Sequence, residues 1–117
     1  MGIDLKVMAS SFRERRGELL PTATLRFDRD PGLFSRLSKG ALPCLVQALP
    51  PDLKVGNYED GGLVFVQIDR YGQPLTCTTS VELAKLEMPD GLSPWNGAVL
   101  AFLLALPEDV RIVLYWC

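Results

Sequence analysis

The hydrophobic positions of the chain fall into two periods. Ile3, Leu5 and Val7 alternate with Asp4, Lys6 and Met8, and Ala23, Leu25 and Phe27 alternate with Thr22, Thr24, Arg26 and Asp28. A period of two puts one set of side chains on one face of a strand, so both segments are predicted as strands with one buried and one wet face. Such strands suit antiparallel pairing, and the two are expected to form a hairpin closed by a long loop through Arg13-Glu14-Arg15-Arg16-Gly17-Glu18. The period then changes. Asp30-Pro31 supplies an N-cap and a first helical residue, Leu33, Phe34 and Leu37 make an apolar stripe, and Gly40 is placed to end the helix. Leu42, Leu45, Val46 and Leu49 keep helical spacing and predict a second short helical turn, stopped by Pro50-Pro51.

Residues 52–62 read as a loop, with Gly56, Gly61 and Gly62 as turn residues. Residues 63–68 are rich in β-formers, 69–74 read as a turn and 75–78 as the returning strand of a second hairpin. Thr79-Ser80-Val81-Glu82 fits a capping box, and its helix stops before Pro89. Ser93-Pro94 opens the last helix. The seventeen residues between Asp90 and Glu108 carry no charge, which predicts a helix buried on most sides. Residues 110–117 are apolar on both faces, as suits the middle of a covered sheet or a subunit interface. The order ββαββααβ predicts a single α+β domain over residues 1–117. Its sheet is mixed, mainly antiparallel and about five-stranded, with helices chiefly on one face.

Composition narrows the chemistry. With 117 residues, 48% hydrophobic and 22% charged, the chain is one globular domain's worth of sequence. It has no histidine, which excludes Ser-His-Asp and Cys-His catalysis, histidine-ligated zinc and a histidine pH switch. Cys44, Cys77 and Cys117 are odd in number and none has C-x-x-C spacing. They are expected to be free thiols in a reducing cytoplasm, the alternative being one disulfide and a spare thiol. The opening residues lack the pattern of a signal peptide, and Lys6 stands where a myristoylation motif wants Ser or Thr. The longest apolar run, 98–106, falls well short of the roughly 20 residues of a membrane span. A cytoplasmic protein without membrane contact is therefore expected. Net charge is −2, with the first forty residues leaning basic and the rest acidic, and no strongly basic face suggests nucleic acid.

Several groups are candidates for chemistry. Arg13, Arg15 and Arg16 beside Tyr71 could grip a small anionic ligand bidentately, although Glu14 and Glu18 lie among them. Asp28 and Asp30 have the D-x-D spacing of a magnesium site and would make a metal-dependent enzyme, but Asp30 already has a capping role. Glu59-Asp60 and Glu108-Asp109 are adjacent pairs that read as turn residues rather than as an acid and a base facing one substrate. Cys77, two residues before the Thr79 cap, is the thiol best placed for activation, and reads as a half-buried strand residue. Trp95, Tyr115 and Trp116 are the candidate interface, because aromatic residues left exposed beside an uncharged helix mark partner surfaces. The leading expectation is a small non-enzymatic interaction or regulatory domain, binding a protein partner or a second copy. No catalytic residue, metal or cofactor is expected; the anionic-ligand binder is the alternative.

Three segments also resemble a group of short uncharacterised bacterial proteins. They are Met1-Gly2-Ile3-Asp4-Leu5-Lys6, then Tyr71-Gly72-Gln73-Pro74-Leu75-Thr76 with Glu82-Leu83, and finally Leu106-Pro107 with Val113-Leu114-Tyr115-Trp116. The resemblance implies a size and an architecture, and no activity, cofactor or site residue.

Overall fold

The apolar C-terminal strand β8 (Ile112–Trp116) runs through the middle of the molecule, and the other elements build outward from it. The computed structural model describes residues 3–11 and 16–117. β1 (Leu5–Ala9) pairs antiparallel with β8 on one side, and β7 (Thr76–Thr78) does so on the other. β3 (Ala23–Arg26) and β4 (Gln47–Ala48) flank these, giving a five-stranded antiparallel sheet in the order β3-β1-β8-β7-β4. The expected first hairpin is present, with Val7 opposite Leu25.

Helices cover one face. α1 (Pro31–Leu37) contributes Leu33, Phe34 and Leu37; α2 (Ser80–Leu83) contributes Leu83; α3 (Pro94–Leu104) contributes Val99, Leu100 and Leu103. They bury Leu5, Val7, Ile112 and Leu114 of the sheet. All three predicted N-caps form: Asp30, Thr79 and Ser93 each accept the backbone N–H three residues on, satisfying a donor the helix leaves unpaired. α1 ends at Ser38, in extended conformation, rather than at Gly40.

A second sheet covers the opposite face. β2 (Glu18–Leu19) runs parallel to β5 (Lys54–Glu59), which pairs antiparallel with β6 (Gly62–Val66). Leu19, Leu53 and Val55 pack there with Met8, Cys77, Val113 and Tyr115. This layer corrects the expectation that β1 has a wet face: all five of its residues are buried, Lys6 included. The central, two-faced placement of β8 follows the sequence reading.

Two segments differ from their predicted form. Residues 52–62, expected as a loop, contain β5, so Gly56 is a strand residue and not a turn. β6 consequently pairs with β5. Its expected hairpin with residues 75–78 is reduced to one bridge, Ile68 to Pro74, while β7 enters the large sheet. Residues 42–49 are irregular rather than helical and carry the short strand β4. The physical reason is visible in the packing: Leu45 and Val46 face the helical layer and Leu49 joins the opposite core, which a single helical stripe does not allow. The radius of gyration is 13.5 Å, close to the about 13 Å of a compact domain of 100 residues.

Candidate functional site

The small sheet presents the largest concentration of exposed apolar side chains. Its β5–β6 hairpin is closed by Asp60 and Gly61, both at positive φ (50° and 78°), the conformation of a two-residue turn matched to strand twist. Along β6, Leu63, Val64 and Phe65 are all exposed, Val64 by 52%. Period two sends Leu63 and Phe65 outward, level with Tyr58 and Gly56 of β5. Tyr58 is 64% exposed. Gly56 leaves room between them: a Cβ there would lie 3.0 Å from Leu63 Cδ1 and 3.2 Å from Leu20 Cδ2. β6 is also an edge of its sheet, so one side of its backbone has no strand partner among the described residues. It carries no charge and no proline, the usual means of protecting such an edge.

Beneath the same sheet lies a polar cluster. Lys6 is only 8% exposed, stands 4.8 Å over the Tyr115 ring, and donates through Nζ to Asn57 Oδ1. Burial lowers the Lys6 ammonium below its ordinary value and raises the Tyr115 hydroxyl above its own. Arg70 donates to Glu59 at 2.8 Å, which lowers the carboxyl and raises the guanidinium. Arg29 forks onto Asp4 at 2.8 and 3.2 Å and lowers its carboxyl in the same way. Lys6, Arg26, Arg70, Tyr71 and Tyr115 line a cavity of about 480 Å³ together with Asp4, Glu59 and Asp60, so its charges are mixed rather than cationic.

Two larger cavities lie elsewhere. One of about 700 Å³ sits between α1 and the 69–74 turn and is lined by Phe34, Tyr71, Thr76 and Trp116 among others. The other, about 870 Å³, includes Cys77 and Arg111. Arg111 Nη1 lies 3.6 Å from Cys77 Sγ, and the Cys77 side chain is buried. All three cysteines are free thiols, Cys44 exposed and Cys117 intermediate.

Of the arginine loop, Arg13 and Arg15 lie outside the described residues. Arg16 is exposed, has φ of 54° just before β2, and lines none of these three cavities. Tyr71 is half exposed, and its hydroxyl donates to the Cys117 carbonyl oxygen at 3.1 Å. Trp95 is 50% exposed on α3, with its indole N–H given to the Arg26 carbonyl at 2.7 Å. Together with exposed Phe102 it corrects the expectation of a helix buried on most sides: α3 keeps an apolar face outside. Trp116 meets Phe34 edge to face at 5.5 Å. Tyr115 is interior, because the small sheet covers its face of β8.

Asp28 and Asp30 are both engaged. Asp28 Oδ2 accepts from Ser93 and Asp30 caps α1. Among the described residues no three acidic or thiol side chains group as a metal site would require, and no helix is long and apolar enough to cross a membrane. The exposed apolar face of β5–β6 is absent from the sequence-derived candidates. Its signal was Asp60-Gly61, a dipeptide that specifies a tight hairpin when strand-like residues flank it. Comparison with family models, curated proteins and solved structures finds no match.

Proposed function

We propose that the protein acts as a small interaction domain, and that its contact surface is the free edge and outer face of the β2-β5-β6 sheet, paired with a second copy of this chain. The observation that supports this reading is β6 itself: a five-residue edge strand without a protecting charge, of which Gly62, Leu63, Val64 and Phe65 are exposed. An unpaired strand edge offers a row of backbone donors and acceptors that another strand satisfies directly. Two β6 edges meeting antiparallel around a twofold axis would satisfy both chains with one surface, the form most homodimers take. Tyr58, Leu63 and Phe65 would flank the seam, supplying the aromatic and apolar surface that interface centres use.

The edge is short, so association is expected to be reversible and concentration-dependent. Light scattering over a dilution series checks it. The mass should climb from the 12.9 kDa of one chain toward twice that value. Val64→Lys, which places a charge on the edge, should hold the protein at one chain while circular dichroism remains unchanged. A wild-type protein that stays at one chain throughout the series contradicts the proposal.

A further inference from the structure

We propose that the cavity between α1 and the 69–74 turn binds a small organic cation through a methylated ammonium group. At about 700 Å³ it has the size of a small-molecule site. Three aromatic side chains line it: Phe34, Tyr71 and Trp116. Phe34 and Trp116 meet edge to face with their planes 82° apart, so the two rings form a corner. The face of an aromatic ring carries negative potential, and a cation resting on it gains most where water is excluded.

Asp69 supplies the second, independent observation. It lines the same cavity and is 7% exposed. Its Oδ1 accepts from the backbone N–H groups of Tyr71 and Gln73 at 2.8 and 3.0 Å. Its Oδ2 accepts from no group among the described residues and is not sealed from solvent. Asp69 makes no ion pair among those residues either. A carboxylate buried without a counter-charge carries a desolvation cost, which a cation in the cavity offsets.

The other charges of the lining leave the balance negative. Arg29 is neutralised by its forked bond to Asp4. Asp30 caps α1 through Oδ1 and makes no ion pair among the described residues. Lys39 is exposed and lies beyond the Ser38 cap of α1. Two carboxylates thus stand against one ammonium. A primary ammonium suits the cavity poorly, because its N–H donors would exchange water for the apolar walls of Phe34, Pro74 and Trp116. Methyl groups in place of those hydrogens remove the donors, keep the charge and pack on the rings.

The test adds choline to the wild-type protein and follows the Trp116 indole N–H resonance, which Trp95→Phe assigns. Neohexyl alcohol, the uncharged carbon isostere of choline, and ethanolamine, its unmethylated counterpart, are the controls. A saturable shift with choline is expected, at an affinity roughly fivefold above that of either control. Asp69→Asn keeps the oxygen that accepts both backbone N–H groups and removes the charge. It should weaken choline binding roughly fivefold without lowering the melting temperature. Tyr71→Leu should weaken binding roughly threefold, while Tyr71→Phe keeps the ring and the affinity. Absence of a saturable shift, equal affinity for either control, or unchanged affinity in Asp69→Asn or Tyr71→Leu overturns the proposal. The β6 edge is a separate surface, untouched by either result.

Discussion

Lys6 shows how a single residue reports on the layers around it. In an alternating segment it reads as a solvent-facing lysine, yet the small sheet covers it and leaves it over Tyr115 beside Asn57. Burial lowers its folded value below 10.5, so the folded protein sheds this proton at a lower pH than the unfolded chain does. Between those two values the unfolded chain holds more protons, and stability rises with pH. Tyr115 acts in the opposite sense above 10.0, where its buried hydroxyl keeps a proton the unfolded chain loses. Urea unfolding at a series of pH values should therefore show stability rising with pH on the approach to 10.5 from below. The rise should be absent in Lys6→Met. Asn96 offers a second test at this scale. Its side chain clasps the Asp28 backbone, Oδ1 accepting from the N–H at 2.7 Å and Nδ2 donating to the carbonyl at 3.0 Å. Asn96→Ala frees both groups and should cost about 2 kcal/mol in equilibrium unfolding.

Among the elements, those whose signals are local were legible and those whose partners are distant were not. Asp30, Thr79 and Ser93 cap their helices because a cap needs only the next three residues. β5 was hidden because its buried positions, Val55 to Asn57, are consecutive and include a glycine, so no alternation marks it. Its burial comes from the large sheet, which no local pattern announces. β4 was hidden for a related reason: the Leu42, Leu45, Val46, Leu49 spacing mimics a helix, while the side chains serve two different cores. The turns that tie the small sheet together can be probed through glycine. Gly17 has φ of 71° and an added Cβ would meet the Asp52 carbonyl oxygen at 2.6 Å, whereas Gly61 has φ of 78° with open space around it. Gly61→Ala should cost about 1 kcal/mol, the strain of left-handed backbone alone. Gly17→Ala should cost distinctly more, because a backbone oxygen must also move. Denaturant titration of both variants reads the difference.

At the scale of the whole molecule, three layers enclose β8: helices, the five-stranded sheet and the small sheet. The α+β class, the central final strand and the helical face were all legible, since each follows from the apolar pattern of the chain. The outer layer was not, and it carries the surface proposed for contact. The sequence reading looked for an interface at Trp95, Tyr115 and Trp116. The structure sets Tyr115 inside, turns Trp116 against Phe34 in a cavity, and leaves Trp95 and Phe102 exposed on α3. Two apolar surfaces thus remain outside, the β6 edge and the α3 face, and they differ in kind. Only the edge has backbone groups without a strand partner among the described residues. Amide hydrogen exchange, compared between dilute and concentrated protein, separates the two most directly. Pairing at the edge predicts that amides of Gly62–Val66 gain protection as concentration rises, while those of Pro94–Leu104 do not change. Protection that grows on α3, or at neither element, would contradict the account.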